Sequence, residues 1–372
     1  MRILFLTRFT PLGASSRYRC YQFSRALKER GHEAEFAPLL DDEYLRRLFS
    51  KRPRPLTRIM FAYLRRLYDV IRSGGYDLVV LQYEAFPWMP VFLERLLFFF
   101  NRNVVLDLDD AWYEGYAKSR LLKGKIPWLM QRSRAVVAGS EVIASFSRCF
   151  NQHTVLVPTV VDLRKYVSGH QESAQRAAEI VWIGSPVTAK LLLPYRKVWR
   201  SITEAYPGVC FKFIGAGEQF HMEGIRCRVV PWLETTEVEE VAGADIGIMP
   251  LQDEPFQRGK CALKIIQYMA AGLPVVASPI GANNYVVQEG ETGFLPASEE
   301  EWIKALSALI EDRALRRRMG SAGRKRAEQL YSIETAVPIL EEVYSSAAEL
   351  GQGTSGRYSS RGKADSWRPG GF

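Results

Sequence analysis

The sequence is short of metal-binding side chains. It has four histidines (His32, His153, His170, His221), with no HExxH and no paired spacing, so a histidine-built metal site is not expected. Its five cysteines (Cys20, Cys149, Cys210, Cys227, Cys261) are scattered, odd in number and free of any CxxC. Neither a disulfide framework nor a zinc ribbon follows, and the usage fits a reducing compartment. Long apolar runs are missing too. Residues 91–100 are interrupted by Glu94 and Arg95, and nothing approaches the roughly 20 apolar residues of a membrane span. The first eight residues, MRILFLTR, hold too short an apolar run for a signal peptide. No repeat of solenoid length is visible. These absences point to a cytoplasmic chain, soluble or peripheral at the inner face of a membrane.

What is present is globular composition. Of 372 residues, 47% are hydrophobic and 24% charged, enough to bury a core without staples and to form two domains or three. The net charge of +9 makes an anionic partner worth testing, whether phosphate, nucleic acid or acidic lipid.

Short Val/Ile/Leu-rich runs alternate with helical stretches from end to end. Strands are expected at 3–6, 78–81, 104–106, 135–138 and 155–157, with an amphipathic helix at 18–30 closed by Gly31. A second series is expected at 180–183, 211–214, 227–230, 246–249 and 275–277. Near-continuous apolar strands separated by helices imply parallel sheets covered on both faces. Two such series give an α/β fold of two doubly wound, Rossmann-like domains. The polar gap from His170 to Ala177 reads as the linker. Helices with i, i+3, i+4 apolar spacing follow at 299–310, 313–330 and 333–350. The Gly/Ser/Arg-rich end, 351–372, reads as a disordered tail. The expected domains are therefore 1–165 and 178–330, with helix 333–350 packing back on the first.

The densest chemical signal runs from Asp245 to Ser278: strand, loop, helix, strand. Pro250 ends the first strand, Gly259 is placed at the helix start, and Gly272 with Pro274 stops the helix. On that helix Lys260, Lys264 and Gln267, spaced by four and three, share one face. A helix start offers free N–H groups and partial positive charge, and Lys260 beside it adds full charge for a diphosphate. Gln267 lies about 10 Å further along, roughly the reach from phosphates to ribose. A solvated helix face is the alternative, but open α/β sheets bind ligands at strand C-termini.

These residues resemble the group 1 (GT4-like) retaining glycosyltransferases of GT-B fold, whose two domains face a cleft. The segments DIGIMPL, KCALKIIQYMAAGLPVVASPIGAN, GETGFL, MGSAGR and VWIGSPVT are similar to the family's C-terminal half, in order and spacing. PLGASSRYR, VVLDLDDAW, VVAGSEVIA and VPTVVD are similar to its N-terminal half. The resemblance covers roughly 1–345. It implies hexosyl or related transfer from a nucleotide-sugar, with retention, no obligatory metal and no cofactor. The donor would bind the C-terminal domain, and an acceptor, lipid-linked or a cell-envelope glycan, would approach from the N-terminal one. The acceptor hydroxyl would attack on the leaving-group face, its proton passing to the departing phosphate.

The resemblance places Gly13, Gly184, Ser185, Thr188, Lys190, Gly215, Arg258, Gly259, Lys260, Cys261, Ala262, Lys264 and Gln267 toward the donor. Two departures stand out. The family commonly carries two glutamates bracketing this loop and helix, and here Gly259 and Gln267 occupy their places. An amide has one acceptor oxygen where a carboxylate has two, so ribose binding by Gln267 would be weaker. Asp253 or Glu254 is a substitute for the first. The family's Arg and Lys clamp after the first C-terminal strand is also missing; Lys190 alone brings charge there, and Arg258, Lys260 and Lys264 are expected to take over.

In the N-terminal half, Arg17 and Arg19 are candidates for an anionic group, with Ser15 or Ser16 as the helix cap and Gly13 allowing close approach. Asp107-Leu-Asp109-Asp110 contains a DxD that could chelate a metal, but that belongs with a one-sheet fold. Asp109 and Asp110 stand where the family strand commonly ends in a histidine near the reacting sugar, so they are assigned, with Lys260, to catalysis. Structural capping is their alternative. Glu84, ending the preceding strand, is a further catalytic or acceptor-side candidate. Gly215 and Gly217 begin a GxGxxG that fails at Phe220, so a nicotinamide site is a poor reading.

Residues 44–72 hold nine basic side chains against Asp69, interleaved with Leu, Phe, Ile and Tyr and broken by Pro53 and Pro55. That suits an anionic membrane surface, or else a solvated charged face. Other activities compatible with the scaffold are a sugar-nucleotide epimerase and a non-catalytic nucleotide-sugar-binding protein. No nucleic-acid motif accompanies the charge.

Overall fold

A computed structural model describes residues 1–166 and 177–349. The linker at 170–177 falls almost wholly outside these residues, and the tail at 351–372 entirely so. The described chain forms two compact units. The first comprises Met1–Thr159, Arg258–Cys261 and the chain from Ile333; the second comprises Val160–Gln257 and Ala262–Ser332.

The first unit holds a six-stranded sheet in the order β2-β1-β3-β4-β5-β6. Its strands are β1 (Arg2–Phe9), β2 (Glu33–Leu40), β3 (Leu78–Gln82), β4 (Val104–Leu108), β5 (Ala135–Ala138) and β6 (Thr154–Leu156). All its pairings are parallel. Every residue of β3, β4 and β5 is buried, the pattern of central strands covered on both faces. β2 was not anticipated: Glu33, Glu35 and Pro38 spoil its apolar run, which an edge strand tolerates because one side pairs with nothing.

The second unit holds β12-β11-β10-β7-β8-β9, again six strands and parallel. These are β7 (Glu179–Ile183), β8 (Cys210–Ile214), β9 (Cys227–Val230), β10 (Ile246–Met249), β11 (Val275–Ala277) and β12 (Gly293–Phe294). Trp182, Trp199 and Trp302 are fully buried in its core, the last two edge to face at 5.6 Å.

Chain order reverses between β1 and β3 in one sheet and between β7 and β10 in the other. Such reversals open a crevice at the strands' C-terminal ends, where α/β folds bind ligands. The helix expected at 18–30 is instead broken into Ala14–Arg19, a 3₁₀ turn Tyr21–Phe23 and Ser24–Glu29. Ser16 and Arg19 are tied down to the sheet, and the chain turns at Cys20 to follow them. The break at Pro53 and Pro55 separates helices Asp42–Phe49 and Leu56–Arg72 as expected.

Candidate active site

In the second unit, β7 runs into Gly184 and β8 into Gly215. A side chain at 184 would lie 2.3 Å from the Trp182 ring, and one at 215 would lie 2.4 Å from the Gly184 carbonyl. Gly215 also has φ +73°, a backbone only glycine adopts cheaply. The two loops therefore meet at bare glycine backbone, at Gly184 and Gly215. Thr188 braces the first: its Oγ1 accepts from the Ser185 N–H at 3.0 Å and donates to the Ser185 carbonyl at 3.1 Å. Lys190 is exposed on the 3₁₀ turn Ala189–Tyr195 that follows.

Lys264 extends over Trp182, its Nζ 5.2 Å from the ring centroid, and so lies by the glycine loops. Gln267 is buried one turn further along and donates from Nε2 to Glu237 Oε1 at 2.8 Å. Glu237 also accepts from the Trp232 indole, and Trp232 flanks Gly215. Gly184, Gly215, Lys264 and Gln267 thus belong to one cluster, with Trp182, Trp232 and Glu237 as members that sequence reasoning missed. Glu237 comes from helix Glu237–Ala242, 30 residues away, and no local spacing could have paired it with Gln267.

The helix begins later than expected. It runs Leu263–Ala270, not from Gly259, because Ala262 takes a left-handed conformation, φ 54°. Lys260 therefore does not share a helix face with Lys264 and Gln267. Among the described residues no side chain caps the start at Leu263, so the amide donors and dipole end expected at Gly259 lie four residues on. Arg258 ends a separate short helix, Pro255–Arg258, and is exposed, as are Asp253 and Glu254.

Gly259, Lys260 and Cys261 belong to the first unit and are packed there. A side chain at 259 would sit 2.4 Å from Ala111 Cβ, and the Gly259 carbonyl accepts from Ser140 Oγ at 3.2 Å. Cys261 donates from Sγ to the Asp109 carbonyl at 2.9 Å, so its side chain is committed to packing rather than to a ligand. Burial pushes that thiol well up. Lys260 Nζ lies 3.3 Å from Asp110 Oδ1. Asp109 is half-buried and accepts from the Tyr83 hydroxyl. Burial and the Asp110 charge push its carboxyl up to about 7, against the opposing pull of Arg19 and Tyr83.

Three expected roles are overturned here. Arg19 is buried and clamps Asp107 through both carboxylate oxygens, at 2.9 and 2.8 Å, so neither is available to a ligand or a metal. Ser15 and Ser16 lie inside the helix rather than capping it; Ser16 Oγ donates to Gln82 Oε1 at 2.7 Å. Glu84 has no exposed side-chain surface. It accepts from Tyr116 at 2.7 Å and pairs with Lys125 Nζ at 2.7 Å, which makes it a support of the loop rather than a substrate contact. Arg17 is buried, with Nη1 donating to the Pro11 carbonyl at 2.9 Å, and a side chain at Gly13 would strike Phe9 Cβ at 2.5 Å.

Comparison with known proteins decides the family. The model described as Glycosyltransferase Family 4 matches residues 17–165, and that described as Glycosyl transferases group 1 matches 177–312. The chain belongs to the group 1 glycosyltransferases, of GT-B fold. Among this family's members, it is similar to sulfoquinovosyl transferase SQD2 of Arabidopsis thaliana, 29% identical over 40% of this chain and 30% of that protein. It is 33% identical to a D-inositol 3-phosphate glycosyltransferase of Corynebacterium aurimucosum over 33% of this chain and 29% of the relative. The chain thus spans about 30% of the length of these curated relatives. Among solved structures, Anabaena Alr3699/HepE in complex with UDP and glucose superposes with a TM-score of 0.69 at 18% identity, covering 93% of this chain and all of that one.

Proposed function

We propose that this glycosyltransferase moves a sugar from a nucleotide-diphospho-sugar to an acceptor with retention of configuration and without an obligatory metal. The observation that carries the reading is the cluster beside the β7/β10 reversal: two loops that meet at bare glycine backbone, a helix start with no side-chain cap among the described residues, Lys264 and the Glu237–Gln267 pair. In this reading the diphosphate lies against the amides at Leu263 and the Lys264 ammonium. The ribose hydroxyls meet Glu237 and Gln267, which together supply the carboxylate that Gln267 alone lacks. Negative charge grows on the diphosphate as the glycosidic bond breaks, so fixed N–H dipoles and a lysine stabilise the transition state more than the bound donor. The acceptor hydroxyl attacks from the leaving-group face and passes its proton to the departing phosphate. Asp109 and Asp110 are assigned to hydroxyl binding on the acceptor side, with Lys260 holding Asp110.

HepE, solved with UDP and glucose, supports a uridine nucleotide as the first donor to try. Thermal-shift measurements against UDP-, GDP-, ADP- and TDP-sugars, followed by calorimetry, test the reading. Stabilisation by one of them, with product release that survives a chelator, is expected. No response to any of the four would overturn it.

The acceptor side includes a surface suited to anionic lipid. Helix Leu56–Arg72 presents Leu56, Met60, Leu64, Tyr68 and Ile71 outward at near-helical spacing, with Arg58 and Arg65 exposed beside them, an amphipathic surface that supports the lipid reading. Beside it, a cavity of about 260 Å³ is lined by Arg47, Arg54, Arg58 and Arg65. Several of these charges are already engaged, Arg47 with Glu43 and Arg58 with Asp41, while Lys51 and Arg52 are exposed. Among the described residues no helix is long and apolar enough to cross a membrane. We read this face as lying in the interface of an anionic bilayer that carries a lipid-linked acceptor. Flotation with anionic but not neutral liposomes, lost in Leu64→Glu, is expected; equal flotation with both would count against it.

A further inference from the structure

Arg8 is the second-to-last residue of β1, at the β1/β3 reversal of the first unit. It is 4% exposed, and its Nε and Nη1 are buried with no hydrogen-bond partner among the described residues. The closest charge is Glu84, whose Oε1 lies 4.0 Å from Nη1 and already accepts from Tyr116. Instead of acceptors, the guanidinium is surrounded by aromatic faces. Its Cζ lies 4.0 Å from the Trp112 ring centroid, 5.0 Å from Trp88 and 5.9 Å from Tyr83. Trp112 begins the short helix after β4, while Tyr83 and Trp88 come from the loop after β3, which is held taut. Tyr83 and Trp88 both have left-handed backbones, φ 62° and 59°, which bulky residues adopt only under constraint.

A guanidinium is a planar fork of donors matched to two oxygens of a phosphate or carboxylate, and it cannot shed its charge. Buried donors without acceptors at the crevice of an open sheet are therefore a receptor awaiting an oxyanion. Trp88, exposed at the rim, offers a flat apolar face to whatever carries that anion.

We propose that Arg8 and its tryptophan cage bind an oxyanion, phosphate or carboxylate, carried on the acceptor next to a sugar or other ring. Calling this ligand the acceptor rests on the glycosyltransferase reading; the anion site itself does not.

The test uses the full chain in wild-type form and as Arg8→Gln, Arg8→Lys and Trp88→Ala. UDP is titrated by calorimetry. Then glucose 6-phosphate, glucuronate and glucose are titrated by ligand-observed NMR in the presence of UDP. At least one charged sugar should bind about tenfold or more tightly than glucose, and Arg8→Gln should reduce it to the level of glucose. Arg8→Lys should recover part of the affinity, because it restores the charge without the fork. Preference for glucose 6-phosphate identifies a phosphate ligand, and preference for glucuronate a carboxylate. If Arg8→Gln does not fold, Trp88→Ala decides, since that side chain is exposed: several-fold loss for the charged sugar supports the site. Equal binding of charged and neutral sugars by the wild type overturns it, as does full affinity in Arg8→Gln or in Trp88→Ala. UDP affinity should stay unchanged in all variants. A wild type that ignores UDP but binds a charged sugar through Arg8 would sink the donor reading and leave the anion site standing.

Discussion

Lys125→Met tests whether the loop at 83–90 is held by a buried ion cluster. Lys125 Nζ lies 2.7 Å from Glu84 Oε2 and 2.9 Å from Glu94 Oε1, donates to the Phe86 carbonyl at 2.6 Å, and none of the three side chains is exposed. Methionine fills a similar volume but leaves two carboxylates without their ammonium, a class of change that costs about 3–5 kcal/mol. The lower end applies here. Glu84 keeps the Tyr116 hydrogen bond, and Glu94 keeps the N–H groups of Ala85 and Phe86. For a unit of this size, a loss of about 3 kcal/mol lowers the midpoint by roughly 6–12 °C. Scanning calorimetry should show that fall in the transition of the first unit. Adding Glu84→Gln should return part of it, because one unpaired charge is then gone. The same loop carries Trp88, so sugar transfer should fall while UDP affinity holds. A midpoint within about 2 °C of wild type, or a double variant whose losses simply add, would refute the cluster as the element that fixes the loop.

Three other outcomes are expected. Gly215→Ala forces a side chain to within 2.4 Å of the Gly184 carbonyl at φ +73°, so it should cost about 2 kcal/mol or more and weaken UDP binding by calorimetry; retained affinity would remove the glycine loops from the donor site. Gln267→Glu sets two carboxylates against each other across a 2.8 Å contact, so UDP affinity should fall about tenfold, and adding Glu237→Gln should restore it. Tighter binding by the single variant would mean that Glu237 is not the working carboxylate. Asp109 has a folded pKa raised from 3.8 to about 7, so the native state holds a proton that the unfolded chain has released, and stability falls as pH rises through that window. Asp109→Asn should flatten this slope in pH-dependent unfolding and erase any inflection near 7 in the transfer rate; an unchanged slope would mean that Asp109 does not titrate there.

The architecture is legible in the sequence because buried parallel strands carry an unbroken apolar signature. All ten anticipated strands are present, and the helices at Glu299–Glu311, Arg313–Leu330 and Ile333–Glu349 follow the expected apolar spacing. The strands that escaped notice lack that signature: β2 is a charged edge, and β12 is two residues long. The helix start at Leu263 was misplaced because its determinant, a left-handed alanine, leaves no compositional trace.

Residue roles divided along the same line. Sequence alone determined that Lys264 and Gln267 lie on one face of a helix at a strand's end, since a period of 3.6 residues settles that locally. Only the tertiary structure decided which charges are spent. Arg19 is consumed by Asp107, Glu84 by Lys125 and Tyr116, while Glu237 arrives beside Gln267 from another helix and Arg8 is left among aromatic rings. A side chain's availability depends on neighbours brought together across tens of residues, and no local pattern encodes those meetings.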